Sequence, residues 1–566
     1  MDYQTNLHIF LIFGTFQEQT AMKLLFRELS IVLILSVFSL SVAKGQSPAG
    51  PKTKLVLIIN VEQMRSDYLV RYANKFQNDG FMRLINHGAV CSNASMNLHI
   101  QKCVTGVPTL MTGAYPDRHG IINEIWMDRL KEKQVDAVED KNYITVGSDS
   151  NEGQRSAKQL LSPTLGDGLK LITNGNAKVF SVSLNDYSAV LSAGHAADGA
   201  YWMDNQTGNM ISSSYYVDQF PSWAFSFNSK QMVESFANRD WTTLLPLGSY
   251  EASVEDDNTF EKGYYEKWNT FPYNLKKLIS TEGSYRVLKT TPYGNRLIKD
   301  FAVNLIENER LGRDDVPDLL TINFSSMDFA NNLFGPSSVE MEDTYLRLDQ
   351  DIAGLLDYVD KNIGLSNTLV ILTSSCSSSY SVDFLQQKYN MPAGYVSPES
   401  MVALMKSYLN ITYGQGNWVE FVMDQQIYFN RQLIEKQKIP LDEFLSKAAS
   451  FINQFEGVKI ALPSSGFEQG DYATSLLTTI SKSYNFKRSG DILFMLEDGW
   501  QPQFKYRKVI YTDNSRIPMV WMGSAIKTGR NREKVDAIDM VPTIFDILGL
   551  DIPSHCEGRV IQEILR

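Results

Sequence analysis

The stretch Leu55-Val-Leu-Ile-Ile-Asn-Val61 is an almost unbroken apolar run, rich in β-branched residues, and it ends abruptly at Glu62-Gln63. A strand that is apolar at successive positions offers no face to water, so it reads as a parallel strand covered on both sides. Lys178 to Leu184, Asp318 to Phe324, Thr368 to Thr373 and Pro518 to Met522 repeat the pattern. Between them, Tyr345 to Tyr358 carries apolar residues three and four apart, the spacing of an amphipathic helix. Strands alternating with helices predict an α/β fold with a central, mostly parallel sheet sandwiched by helices.

Two stretches break this alternation. Residues 201–293 are rich in Ser, Asn, Trp and Tyr with weak periodicity and read as an inserted cap. Its aromatic residues Trp202, Tyr215, Tyr216, Trp223 and Trp241 either line a ligand cleft or pack the insertion. A second insertion is expected over 380–491, with a helix at Leu441 to Phe455 and a strand following at Ile492 to Leu496.

Composition narrows the function. The chain has 566 residues and a formal net charge of −11, with no Lys/Arg run longer than a pair, which excludes a nucleic-acid footprint. Met22-Lys-Leu-Leu-Phe-Arg27, the apolar run Ile31 to Leu40 and the small residues Ser41-Val-Ala43 have the three regions of a secretory signal peptide. Residues 1–21 then read as an upstream extension, 22–43 as the signal and 44–566 as the mature domain. The expected location is periplasmic, secreted or at the cell surface, and the mature chain is not expected to be an integral membrane protein. All four cysteines, Cys91, Cys103, Cys376 and Cys556, lie in the mature part, where an oxidising compartment permits disulfides. Histidine is scarce, with six in the chain: His8, His87, His99, His119, His195 and His555.

Five blocks carry a family resemblance. They are Val61-Glu-Gln-Met-Arg-Ser-Asp-Tyr68, Met111-Thr-Gly-Ala-Tyr-Pro-Asp-Arg-His-Gly120, Ala193-Gly-His-Ala-Ala-Asp-Gly-Ala-Tyr-Trp202, Phe324-Ser-Ser-Met-Asp-Phe329 and Leu333-Phe-Gly-Pro336. In order and spacing the chain resembles the PafA-type alkaline phosphatases of the alkaline phosphatase and nucleotide pyrophosphatase superfamily. The resemblance implies an alkaline-phosphatase-like, sulfatase-like fold. It also implies a site in which two zinc ions activate a Thr or Ser nucleophile and clamp the attacking and leaving oxygens.

Carried over residue by residue, that site is altered. The nucleophile position is Cys103. The metal-ligand positions are Glu62, Asp328, Asn332, Ser375, Cys376 and Arg516, of which only Asp328 is unchanged and Glu62 is chemically similar. The phosphate-contacting positions read Glu124, Asn185 and Tyr187. None of the ligand histidines is present at its place, and neutral Ser and Asn are poor zinc ligands. No cofactor is therefore expected. A Mg²⁺ or Ca²⁺ ion at Glu62 and Asp328 is an alternative, as is a salt-bridged remnant in which the two carboxylates face Arg516.

The resemblance brings Cys103 and Cys376 to the same former zinc position, which implies a disulfide between them; two buried free thiols is the competing reading. Cys103 as a catalytic thiolate stays open but lacks a neighbouring base. Cys91 and Cys556 either pair or stay free. These losses point to an exported pseudoenzyme that binds an unknown envelope protein or small ligand. The alternative is a residual metal-dependent phosphatase or phosphodiesterase with an atypical site around Asp328, Glu62 and Cys103.

Overall fold

A computed structural model of the chain describes residues 53–467, 475–503 and 515–566. The expected signal peptide at 22–43 and the stretch 1–21 lie outside the described residues. From Thr53 to Arg566 the chain forms one compact unit. Among the described residues, no helix is long and apolar enough to cross a membrane.

The elements that build the site are, in chain order, β1 (Leu55–Val61), α1 (Cys103–Thr112), β2 (Val179–Ser183), α2 (Asp186–Ala193), β3 (Asp318–Phe324), α3 (Ser326–Phe334), α4 (Val339–Asn362), β4 (Thr368–Thr373), β5 (Val419–Met423) and β6 (Gln426–Phe429). The centre of a ten-stranded sheet has the order β4-β1-β3-β2 followed by Gly199–Met203, all parallel. Ile59 of β1 pairs in register with Ile322 of β3 and Leu372 of β4. Every residue of β1, β2, β3 and β4 is buried. Alternate side chains explain this: Leu55, Leu57, Ile59 and Val61 enter one core, and Val56 and Ile58 enter the other.

Met519–Met522, read as one more parallel strand, runs antiparallel to β4 and to Ala89–Cys91. Continuous apolarity reports burial on both faces but carries no information on direction, which the path of the chain decides. The helix expected at Tyr345 to Tyr358 extends over the whole of α4, because Ser338 caps it by accepting the Met341 N–H at 3.1 Å.

The cap region begins inside the main sheet. Gly199–Met203 is a buried central strand and Met210–Ser213 pairs with it, so the elaboration starts after Ser213. Its aromatic residues are packing: Trp241 is wholly buried and donates to Asp343 Oδ2 at 2.8 Å, and Tyr216 donates to the carbonyls of Val190 and Gly194. The second elaboration has its own four-stranded sheet, β5-β6-Ile492–Leu496-Val458–Pro463, and its own apolar core around Trp418 and Phe444.

One close approach seats α1 on the sheet. A Cβ on Gly106 would lie 1.6 Å from the carbonyl oxygen of Ser375, just past the end of β4, so only glycine lets the helix come this near. We expect Gly106→Ala to cost at least about 1–3 kcal/mol in urea unfolding, the range for overpacking a tight contact. A midpoint equal to the wild type would show that the helix rides further from the strand.

Candidate active site

The site lies beyond the carboxyl ends of β1, β3 and β4, where the parallel strands deliver Glu62, Asp328 and Cys376. A polar rung holds the three strands at this depth. Asn60 Nδ2 donates to Asn323 Oδ1 at 2.8 Å and to Ser375 Oγ at 3.1 Å, and the Ser375 N–H returns to Asn60 Oδ1 at 2.8 Å. The ladder continues one residue past β1, with the Glu62 N–H donating to the Phe324 carbonyl at 3.1 Å. The Glu62 carboxylate is wholly buried; it accepts from Ser188 Oγ and from Asn185 Nδ2, the latter at 3.0 Å.

Asp328, in the first turn of α3, accepts from Gln63 Nε2 at 2.9 Å and from the Tyr187 hydroxyl at 3.2 Å. Burial, followed by the charge of Asp328, raises the Glu62 carboxyl to about 8. Burial also raises Asp328, against the hydrogen bonds of Gln63 and Tyr187 and the positive charge of Lys102. Burial thus lifts both carboxyl groups, and the charge of Asp328 adds to the rise of Glu62. Tyr187 is pushed up by burial and by both carboxylates, so it remains a phenol that donates.

Cys103, the first residue of α1, is disulfide-bonded to Cys376 across 273 residues of sequence, with Cα atoms 4.9 Å apart. That separation lies in the ordinary range of about 4.4–6.8 Å. Both half-cystines are buried, Cys103 Sγ is 3.8 Å from Asp328 Oδ1, and the Gln63 backbone N–H donates to Cys376 Sγ at 3.4 Å. With its sulfur in a disulfide, Cys103 is not a thiolate nucleophile in this state. Cys91 and Cys556 are free cysteines and do not pair.

The other positions sit around this centre at different depths. Ser375 is buried in the Asn60 rung. Asn332 is exposed and spends its amide on the Asp328 carbonyl one turn back, at 2.9 Å. Arg516 is exposed, on a bridge to Ser95, while the positive charge acting on Asp328 comes from Lys102. Glu124 is exposed, and its charge reaches Tyr187. Asn185 Nδ2 also reaches the Tyr187 hydroxyl, at 3.0 Å. Among the described histidines, His119 is buried between Thr109 Oγ1 and the Ile121 N–H, each at 3.1 Å, and His99 is buried within reach of the charge of Asp424.

Several residues that sequence reasoning left out belong to the site. Lys102, next to Cys103, bonds Asn123 Oδ1 at 3.2 Å and pairs with Asp424. Asp424 sits at the tip of the β5-β6 hairpin with φ 51°, so the second elaboration reaches the site here. Adjacency to Cys103 was the available signal for Lys102. For Asp424 there was none, because hairpin tips are rich in Asp for local reasons.

These donors do not fit a pair of zinc ions. Arg516 is exposed on its bridge to Ser95, Asn332 and Ser375 are neutral and bonded elsewhere, and both sulfurs are consumed in the disulfide. Cys103, Asp328 and Cys376 nevertheless bring three ligand atoms within 4.8 Å of one another, the one such His/Cys/Asp/Glu cluster found among the described residues.

The profile of the type I phosphodiesterase / nucleotide pyrophosphatase family matches residues 56–523, most of the chain. The chain belongs to this family. It is 34% identical to alkaline phosphatase PafA of Elizabethkingia meningoseptica, over 91% of this chain and 95% of that one. It is also 34% identical to a protein named calcium-transporting ATPase from Myroides odoratus, over 95% and 99% of the two chains. The same identity holds to alkaline phosphatase PhoV of Synechococcus elongatus, over 93% and 96%. The crystal structure of wild-type PafA superposes with a TM-score of 0.86 at 35% identity, covering 92% of this chain and all of that one. The expectation of a catalytically silent binding protein is therefore corrected. Family members named as alkaline phosphatases match 91% and 93% of it, and nothing in the fold speaks positively for loss of catalysis. Substituted residues at these positions do not by themselves exclude hydrolysis, and the expectation of no metal is not supported, since Cys103, Asp328 and Cys376 form a cluster able to hold an ion.

Two measurements follow from this geometry. Alkylation of the unfolded chain without reductant should label two cysteines, Cys91 and Cys556, and with reductant four; four labels without reductant would remove the disulfide. Because Glu62 titrates higher folded than unfolded, the folded state holds the extra proton between about 4.5 and 8. Stability from this group is present at low pH and is lost as pH rises towards 8. Glu62→Gln should flatten that decline in unfolding midpoints measured from pH 5 to 8, and an unchanged slope would assign the proton elsewhere.

Proposed function

We propose that the chain is an exported phosphoric ester hydrolase acting at the atypical site around Asp328, Glu62 and Cys103. The observation that carries this reading is a buried Glu62 and a half-buried Asp328 at the ends of β1 and β3, both raised by burial and Glu62 also by the charge of Asp328, in a chain matched over 91% of its length by an alkaline phosphatase. Phosphate monoesters are the first substrate class by likeness to those relatives, and diesters the second by likeness to the family.

With Cys103 bonded to Cys376, attack on phosphorus falls to water. Asp328 is the half-buried member of the pair and takes the water proton; Gln63 and Tyr187 hold its two oxygens in place. Glu62, neutral below about 8, leaves Asp328 as the ionised partner. The ammonium of Lys102 and the first N–H groups of the ten-residue helix α1 supply positive potential for the phosphoryl oxygens. The water oxygen bonds to phosphorus as the ester P–O bond breaks, the leaving oxygen takes a proton from solvent to depart as the alcohol, and Asp328 returns the water proton to solvent. Export rests on residues 22–43 and agrees with a disulfide in the mature chain.

The disulfide-intact chain should release product from an aryl phosphate monoester, and Asp328→Asn should slow it at least about 100-fold, the usual contribution of a positioned base. Rates on aryl phosphate monoester, diester and aryl sulfate no greater than those of Asp328→Asn, with or without added Zn²⁺, would overturn the proposal.

A further inference from the structure

The cluster of Cys103, Cys376 and Asp328 has a second chemical state. Its ligand atoms already lie within 4.8 Å of one another, and the Asp328 carboxylate stands 3.8 Å from Cys103 Sγ. A tetrahedral zinc ion with Zn–S bonds of about 2.3 Å holds two sulfurs about 3.8 Å apart. The Cα atoms of Cys103 and Cys376, 4.9 Å apart, leave room for that separation by rotation of the two side chains alone.

We propose that reduction of the Cys103–Cys376 bond turns this cluster into a Cys₂Asp site for one thiophilic divalent cation, with disulfide and metal as alternative occupants of the same place. The donor set differs from the two-zinc arrangement that these positions do not fit, and the inference stands apart from hydrolysis. The reductant is a dithiol: the S–S bond breaks, two electrons and two protons pass to the sulfurs, and the dithiol becomes a disulfide. Cation binding then releases the two thiol protons to solvent. Thiolate donors select zinc over Mg²⁺ or Ca²⁺. Two features favour the thiolates. The Gln63 backbone N–H already donates to Cys376 Sγ, and Lys102 offsets the excess negative charge of two thiolates and a carboxylate around a divalent ion.

Cobalt(II) titration of the native chain, without substrate, tests this independently of activity. After treatment with a dithiol and its removal under anaerobic conditions, one equivalent of Co²⁺ should develop thiolate-to-cobalt charge-transfer absorption, displaced by one equivalent of Zn²⁺. The oxidised chain should show none. Asp328→Asn should retain the band with affinity weakened at least about tenfold, Cys103→Ser should lose it, and Cys91→Ser/Cys556→Ser should keep it. Absence of the band in reduced wild type, thiols that form only on unfolding, or a band that persists in Cys103→Ser would each overturn the proposal. The oxidised-against-reduced comparison of the wild type needs no variant to fold.

Discussion

The parallel ladder that clamps β1 between β3 and β4 is the constraint from which the rest follows. Because the three strands run the same way and in register, their carboxyl ends open at one edge, and whatever follows each strand is delivered to one place. Glu62, Ser325 to Asp328 and Ser374 to Cys376 arrive there by this rule, as ligand sites do in open α/β sheets generally. Asn60 and Asn323, facing one another in adjacent strands, place hydrogen bonds inside an otherwise apolar ladder and tie in Ser375. That rung lies directly beneath the site, so the positions of the carboxylates and the half-cystine inherit the rigidity of the sheet.

Onto this edge the fold brings α1, and the approach is close because Gly106 has no side chain. Cys103 lies three residues earlier on the same helix, so the contact that seats Gly106 against Ser375 also presents Cys103 to Cys376. The disulfide is thus a product of helix seating as much as of cysteine chemistry. It fixes the start of α1 beside Asp328 and removes a thiol from the place where a nucleophile would stand.

The carboxyl pair supplies the chemical character of the site. Glu62 is buried among Ser188, Asn185 and Asp328, and Asp328 is drawn between Gln63, Tyr187 and Lys102. In a histidine-poor chain, burial lifts both carboxyl groups and the charge of Asp328 lifts Glu62 further. Lys102 and Asp424 extend the site towards the second elaboration, which joins it through one hairpin tip.

The central strands and the α/β class were legible in sequence because burial on both faces demands apolar residues at nearly every position, and β3 and the strand Ile492–Leu496 begin and end where that pattern does. The five motif blocks identified the family frame and contain Glu62 and Asp328, and carrying that frame over residue by residue located Cys103 and Cys376. Tertiary structure alone decided the direction of Met519–Met522, the packing role of Trp241, the exposed position of Arg516 on its bridge to Ser95, and the arrival of Lys102 and Asp424. Each of these depends on contacts between residues more than a hundred positions apart, which local pattern does not encode. Likewise the residue types at Cys103, Asn332 and Ser375 were plain from the chain, but substituted ligands alone could not say whether the site was inert. The paired, raised carboxyl groups became visible only when burial and proximity were known.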